Sequence, residues 1–364
     1  MDNPQNVLMT TSPHIHEGAT TANIMWAVVL CLLPAGMWGV YVFGIYSLIV
    51  ILVSIGSSLA AEFVITRLLN RFTLFDGSAF LTGLLIGYNM PPGIPLFVPC
   101  VASVFAIGVV KQSFGGIGHN WMNPALAGRA FVMFSWTGPM STWLVPRSSG
   151  VSDAVTSASP LGFISSGLLD FNGRVAGSME FLSTQGYDGY GSLISSWLRS
   201  RIFPGGLPFD EGYVHLFLGN TPGCIGEISS ALLLLGAIYL FAKKIITWEV
   251  PVFYLGSFAL LVWVFGGLPY ENGFFKGDIV FNLFSGGLIL GALYMATDMV
   301  TTPLTSKGMM IFGAGAGLLT FLIRSYGSFP EGVSLAILLM NVTVPLIDRV
   351  TRPVRFGLAK EKQQ

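Results

Sequence analysis

Nine consecutive residues, Asp153-Ala154-Val155-Thr156-Ser157-Ala158-Ser159-Pro160-Leu161, set an acid beside closely spaced hydroxyl groups in the one long polar stretch of the chain. Pro160 biases Ser159 toward extended backbone. That presents a hydroxyl to a modifying enzyme. The same composition also suits a Ser-rich loop whose hydroxyls cap turns.

A second stretch with chemical content runs from Lys111 through Gly115, Gly116, Gly118, Asn120 and Asn123-Pro124 to Arg129. Its glycines permit positive φ and close backbone approach to a ligand. Asn123 can cap a helix and Pro124 suits its first turn, so the stretch reads as a glycine-rich loop opening onto a helix N-terminus, a place for an anion or a polar ring edge. Arg129 then falls inside an apolar span, where a charge costs at least about 2.5 kcal/mol, and it must face a cavity or a partner. Alternatively the loop is a tight turn and Arg129 snorkels to the interface.

A similar glycine-rich run, Gly219-Asn220-Thr221-Pro222-Gly223-Cys224-Ile225-Gly226-Glu227, precedes another apolar span and carries Glu227 into its first turn,. Asp278 and Asp298 flank a third. Any of these three acids can hold a cation, pair with Arg129, or serve as an ordinary end-of-helix acid. His14, His16, His119 and His215 show no zinc spacing,. Cys31, Cys100 and Cys224 form no C-x-x-C pair, so they read as packing residues without an iron–sulfur cluster or a metal,.

The elements that must position these residues are membrane helices. Hydrophobic residues make up 52% of the chain and charged ones 10%, against about a quarter charged in soluble domains. Net charge is zero with no basic block, which argues against nucleic acid as a partner,. A bilayer crossing needs about 20 apolar residues. About ten candidates occur, near 24–42, 45–69, 78–90, 95–111, 123–140, 226–243, 249–267, 279–297, 309–324 and 331–348. The third is short and interrupted by Pro91-Pro92-Gly93, which predicts a broken helix surrounded by protein. The expected organisation is an N-terminal tail over 1–23, a first five-helix repeat over 24–140, a loop over 141–225, a second five-helix repeat over 226–348 and a basic tail over 349–364. The first tail lacks the basic residues of a secretory signal, so the first span should be retained.

Lys and Arg set orientation. With a cytoplasmic N-terminus the inner face gathers Arg67, Arg71, Lys111, Lys243, Lys244, Lys307 and the basic tail, while short outer loops receive Lys276 and Arg324. Both termini are then cytoplasmic and the long loop is extracytoplasmic. Five and five spans make the halves inverted repeats, and Asp76-Gly77 with Leu81-Thr82-Gly83-Leu84-Leu85-Ile86-Gly87 echoes Gly277-Asp278 with Phe284 to Gly291. The expected fold is therefore an all-α polytopic membrane protein of two inverted five-helix repeats and a long extracytoplasmic loop. That architecture is shared by secondary transporters and channels, so a carrier for a small solute is the alternative reading.

Taken together, Ser12-Pro13-His14, the Gly115–Asn123 loop, the Asp153–Leu161 run, Gly219-Asn220-Thr221 and Asp298-Met299-Val300-Thr301-Thr302-Pro303 resemble the D subunits of Rnf electron-transport complexes and their relatives, the B subunits of sodium-translocating NADH:quinone oxidoreductases. The nine-residue run resembles the D-x-x-[ST]-x-A-[ST] pattern at which FMN is esterified through its phosphate. The family's acceptor is usually Thr before Pro; here it is Ser159, with Thr156 the second choice. The resemblance implies a multi-pass subunit of a bacterial or archaeal cytoplasmic membrane, within a complex that moves electrons between ferredoxin and NAD and couples this to Na⁺ or H⁺ transport. It also implies covalent FMN, a second non-covalent flavin (riboflavin or FMN) among the helices, a flavin transferase for maturation, and partner subunits carrying iron–sulfur clusters and another covalent FMN. Asp153, Lys111, Gly115, Gly116, Asn120, Asn123 and Arg129 are the expected cofactor-binding residues beside the acceptor. No catalytic acid, base or nucleophile is expected from the chain, because the flavin carries the chemistry.

Overall fold

The computed structural model of the chain describes residues 20–69, 74–146, 156–157, 159–165, 196–197, 211–270, 273–327 and 331–352. It is an all-α polytopic membrane protein. In chain order the helices are α1 (Thr21–Phe43), α2 (Ile45–Leu68), α3 (Ser78–Tyr88), α4 (Phe97–Phe105), α5 (Pro124–Ser135), α6 (Thr137–Met140), α7 (Pro160–Ser165), α8 (Glu211–Leu218), α9 (Ser230–Ala242), α10 (Glu249–Phe265), α11 (Ile279–Phe284), α12 (Leu288–Leu290), α13 (Ser306–Tyr326) and α14 (Val333–Thr351). Among them α1, α2, α13 and α14 are long and apolar enough to cross a bilayer alone, and α3, α9 and α10 are shorter apolar helices. Both α4 and α12 continue as π-helix, over Ala106–Gln112 and Gly291–Met295.

Side-chain caps fix where helices begin. Thr20 accepts from the amide of Asn23, Asn123 from those of Ala125 and Leu126, Ser229 from Leu232 and Thr305 from Gly308, each satisfying a donor that the helix leaves free. The Asn123-Pro124 start matches the sequence expectation. The sixth span, expected from 226, instead begins at Ser230, and the residues before it form a buried loop.

The two halves of the chain meet: α1 packs against α9 and α5 against α14, while α2 packs on α3 and α4 within the first half and α10 on α13 within the second.

Two interruptions of helix lie inside the protein. α3 ends at Tyr88, before the prolines, and its freed backbone is met by the loop before α9: Gly226 N–H donates to Tyr88 O at 3.0 Å, Ile225 N–H to Met90 O at 3.1 Å and Cys224 Sγ to Asn89 O at 3.4 Å. Non-helical backbone of one half thus satisfies that of the other, which is the condition for burying it at membrane depth. The second interruption corrects the expectation of an unbroken eighth span. α11 stops at Phe284, and Gly286 and Gly287 turn the chain with φ of 66° and 65° before α12, a conformation open to glycine but costly for other residues. In the sequence these glycines stand only as part of the run from Phe284 to Gly291 that echoes the first half.

Candidate functional site

The chain after Leu144 returns to the membrane helices through a short antiparallel pair, with β1 (Trp143–Leu144) against β2 (Thr156–Ser157) and Thr156 opposite Leu144. This pairing delivers Ser159 to the start of α7. Ser159 is buried, and its Oγ accepts from the Gly162 amide at 3.1 Å. Leu161 packs on the second interruption: a Cβ on Gly286 would collide with its side chain. The expected acceptor serine is therefore seated on the broken eighth span. Asp153 lies outside the described residues.

Beneath Ser159 is a small pocket of about 20 Å³ with a mixed lining, Thr221, Glu227, Ser285 and Glu331 on the polar side and Leu161, Ile228 and Phe284 on the apolar side. Glu331 also lines a neighbouring cavity of about 260 Å³, together with Arg129, Met133, Met140, Trp143 and Ser334. Arg129 is 4% exposed, which rules out snorkelling, and it joins elements from both halves. Its guanidinium pairs with Glu331 and donates to Asn89 Oδ1 at 2.8 Å, Ser334 Oγ at 2.9 Å and Cys224 Sγ at 3.5 Å. The partner of Arg129 is thus Glu331, and none of the three acids considered from sequence. Glu331 lies 202 residues away in the chain, at the start of a span where it reads as an interfacial acid.

Cys224, Glu227 and Glu331 bring one potential ligand atom each within 4.8 Å of one another. Glu331 is already engaged by Arg129, so the charge partner in this cluster is a guanidinium. The Cys224 amide donates to Glu227 Oε1 at 3.0 Å. Glu227 Oε2 and Arg129 Nε are buried without a hydrogen-bond partner among the described residues. Arg324, placed by the charge count in a short outer loop, instead sits in the last turns of α13 at 7% exposure. It donates to the carbonyls of Asn282 (2.7 Å), Ser285 (3.1 Å), Gly286 (2.8 Å) and Glu331 (2.9 Å) and stacks on Phe258. A cation at the C-terminal end of α11 meets the carbonyls that the interruption leaves free.

The Lys111 stretch is divided by the fold. Lys111, Gly118, Asn120 and Asn123 line a separate cavity of about 200 Å³, with Thr297 and Asp298 across from them, whereas Arg129 belongs to the Ser159 side. Lys111 is 2% exposed and its Nζ donates to Glu62 at 2.7 and 2.8 Å and to Ser78 Oγ at 2.5 Å. Glu62 was missed in the sequence, although it lies as far inside α2 as Arg129 lies inside α5, and the same rule for an intramembrane charge could have found it. Asn123 Nδ2 donates to Met295 O at 3.2 Å, and Asn120 Oδ1 is buried without a partner among the described residues. Gly115 and Gly116 form the positive-φ turn after Lys111 and are not among the residues lining this cavity. Asp278 caps α11 through the Phe281 amide at 2.9 Å and accepts from Tyr213 at 2.7 Å, the ordinary end-of-helix role.

Both cavities have apolar linings with a few converging polar groups,, and comparison with known proteins shows which kind of protein carries them. Residues 8–357 match the family described as NQR2, RnfD, RnfE. The chain belongs to that family. It is 44% identical over 350 residues, 96% of each chain, to the D subunit of the proton-translocating ferredoxin:NAD(+) oxidoreductase complex of Clostridium ljungdahlii. It is 40% identical over 364 residues, 100% of this chain and 99% of the relative, to the D subunit of the Na(+)-translocating ferredoxin:NAD(+) oxidoreductase complex of Acetobacterium woodii. A third relative, the D subunit of the ion-translocating oxidoreductase complex of Stutzerimonas stutzeri, is 37% identical over 92% of this chain and 91% of its own length.

Proposed function

We propose that this chain is the flavin-bearing membrane subunit of an ion-translocating ferredoxin:NAD⁺ oxidoreductase complex, relaying electrons through FMN esterified to Ser159 and contributing to the coupling of electron flow to Na⁺ or H⁺ transport. The observation that carries the reading is the seat of Ser159: a motif hydroxyl brought from a long loop onto the junction of the two halves, beside the cavity that holds Arg129. The residues fit the group. Arg129 Nε is an orphaned buried donor in a cavity where Met133, Met140, Trp143 and Leu335 give apolar walls and Thr137, Ser141, Ser334 and Glu331 the polar groups, which suits a planar ring with a polar edge. When bound, a flavin accepts and passes on electrons singly or in pairs. The chain's part is to fix its position, exclude water and hold the fixed positive charge of Arg129 near it in a low-dielectric setting.

The Lys111 cavity supports a second, non-covalent flavin (riboflavin or FMN), with Asn120 Oδ1 free to accept from a ring N–H. Lys111 acts there through its pair with Glu62 and not as a free cation. The positive-inside count supports cytoplasmic termini and the Ser159 side facing out of the cytoplasmic membrane, where a flavin transferase of the exported side reaches its substrate. Iron–sulfur subunits and another covalent-FMN subunit are the expected partners. The test is flavin fluorescence that stays with the chain on a denaturing gel. It should vanish in Ser159→Ala and survive in Thr156→Ala; survival in Ser159→Ala would refute the assignment of the acceptor.

A further inference from the structure

Glu227 is 6% exposed and its Oε2 has no hydrogen-bond partner among the described residues, although it borders the pocket beneath Ser159. The pocket, about 20 Å³, is roughly the room one water requires,. Gly287 brings backbone so close that a Cβ there would strike the carboxylate. The charged and titratable groups around it are Arg129 from α5, Arg324 from α13, Glu331 ahead of α14 and Cys224 from its own loop, with His215 of α8 held at the head of that loop against Asn220. Tyr88, packed on Gly226, has its hydroxyl committed to Leu32 O at 2.9 Å. With both arginines and both glutamates ionised the cluster is neutral. One electron added on the Ser159 side therefore leaves an unbalanced negative charge, felt far more strongly in this setting than in water. The arginines cannot give up their protons, and Glu331 is held by Arg129. Among the described residues Glu227 is the one of the two carboxylates with an oxygen that lacks a partner, since the oxygens of Glu331 face Arg129 and the Cys224 thiol.

We propose that Glu227 is a redox-linked proton acceptor, taking one proton from water onto Oε2 when one electron arrives at the Ser159 side and releasing it when the electron leaves. The electron comes from the donor of the complex, the carboxylate becomes a carboxylic acid, and the cluster with its added electron returns to neutrality. This rests on the reading that Ser159 carries the flavin, so peptide mass mapping comes first: flavin absent from Ser159 defeats that reading, whereas the measurements below test Glu227 on complex in which it is present.

The experiment is a spectroelectrochemical titration of this chain's flavin in the purified complex, at several pH values with Na⁺ constant and at several Na⁺ concentrations with pH constant. Glu227→Gln keeps the size of the side chain and an oxygen for the Cys224 amide. It should lower the pH dependence by one proton per electron, a tenfold change per pH unit that converts to about 59 mV, while Glu227→Asp retains it. An unchanged slope in Glu227→Gln overturns the proposal, as does a wild-type potential without pH dependence. A potential that follows Na⁺ at constant pH and loses this in Glu227→Gln also overturns it and makes the carboxylate a sodium site. Should Glu227→Gln fail to assemble, the reduced-minus-oxidised infrared spectrum of the wild type decides: a carboxylic-acid C=O band that appears on reduction and shifts in D₂O supports the proposal, and its absence overturns it.

Discussion

Replacing Arg129 by Met removes a buried charge but keeps length and apolar volume, and the structure says what this leaves behind. The Glu331 carboxylate, 13% exposed, loses its only charged hydrogen-bond partner among the described residues, since Arg324 reaches the Glu331 backbone carbonyl and not its side chain. Leaving one member of a buried pair uncompensated costs about 3–5 kcal/mol, or two to three and a half orders of magnitude in the folded-to-unfolded ratio. Arg129→Met should therefore reduce assembled complex sharply. Adding Glu331→Gln removes the second charge, and what remains is the loss of donors to Asn89 Oδ1 and Ser334 Oγ. That loss is on the order of 1–3 kcal/mol, because Asn89 keeps its own bond to Leu85 O at 2.7 Å. The double variant should thus be the more stable of the two. The assay is the fraction of monodisperse complex surviving a temperature series, across wild type, both single variants and the double. If the double variant survives no better than Arg129→Met, pairing with Glu331 is not what Arg129 supplies, and the account of this cluster fails.

Lys111→Met should be costlier to assembly than Lys111→Met with Glu62→Gln, by the same reasoning applied to the other buried pair; thermal survival of the two complexes checks it, and equal survival refutes it. Asn120→Ala should lower non-covalent flavin while leaving the covalent adduct at full occupancy, read as flavin released on denaturation against flavin retained by the chain. Gly287→Ala should be recovered poorly even in mild detergent, since left-handed backbone costs roughly 1–2 kcal/mol for a residue with a Cβ and the added carbon meets Glu227; wild-type yield would contradict the tight seat described for that carboxylate.

Much of the architecture was readable because hydropathy reports length and depth directly: the starts of α2, α3, α10 and α11 fall on the expected spans, and Asn123-Pro124 announces its own cap. Local pattern could not supply the partners. Arg129 announced itself as an intramembrane charge, but Glu331 reads as an interfacial residue until folding brings α14 against α5. Arg324 is similarly disguised by its place in the last turn of its helix, whereas Glu62, as deep in α2 as Arg129 is in α5, was legible as an intramembrane charge and was overlooked. The interruption at Gly286-Gly287 was missed because glycines in membrane helices usually permit close packing, and only the carbonyls gathered by Arg324 reveal the chain turning there. Grouping Lys111 with Arg129 followed their nearness in sequence, yet the helix between Asn123 and Arg129 carries the two to different cavities.

Whether Ser159 carries a flavin is decided by site-resolved mass spectrometry of the chain isolated from its native membrane. The account predicts one FMN phosphoester per chain, with the fragment ions placing the added mass on Ser159 and not on Thr156. A chain at its unmodified mass, or an adduct confined to a residue outside the Asp153–Leu161 run, would contradict it.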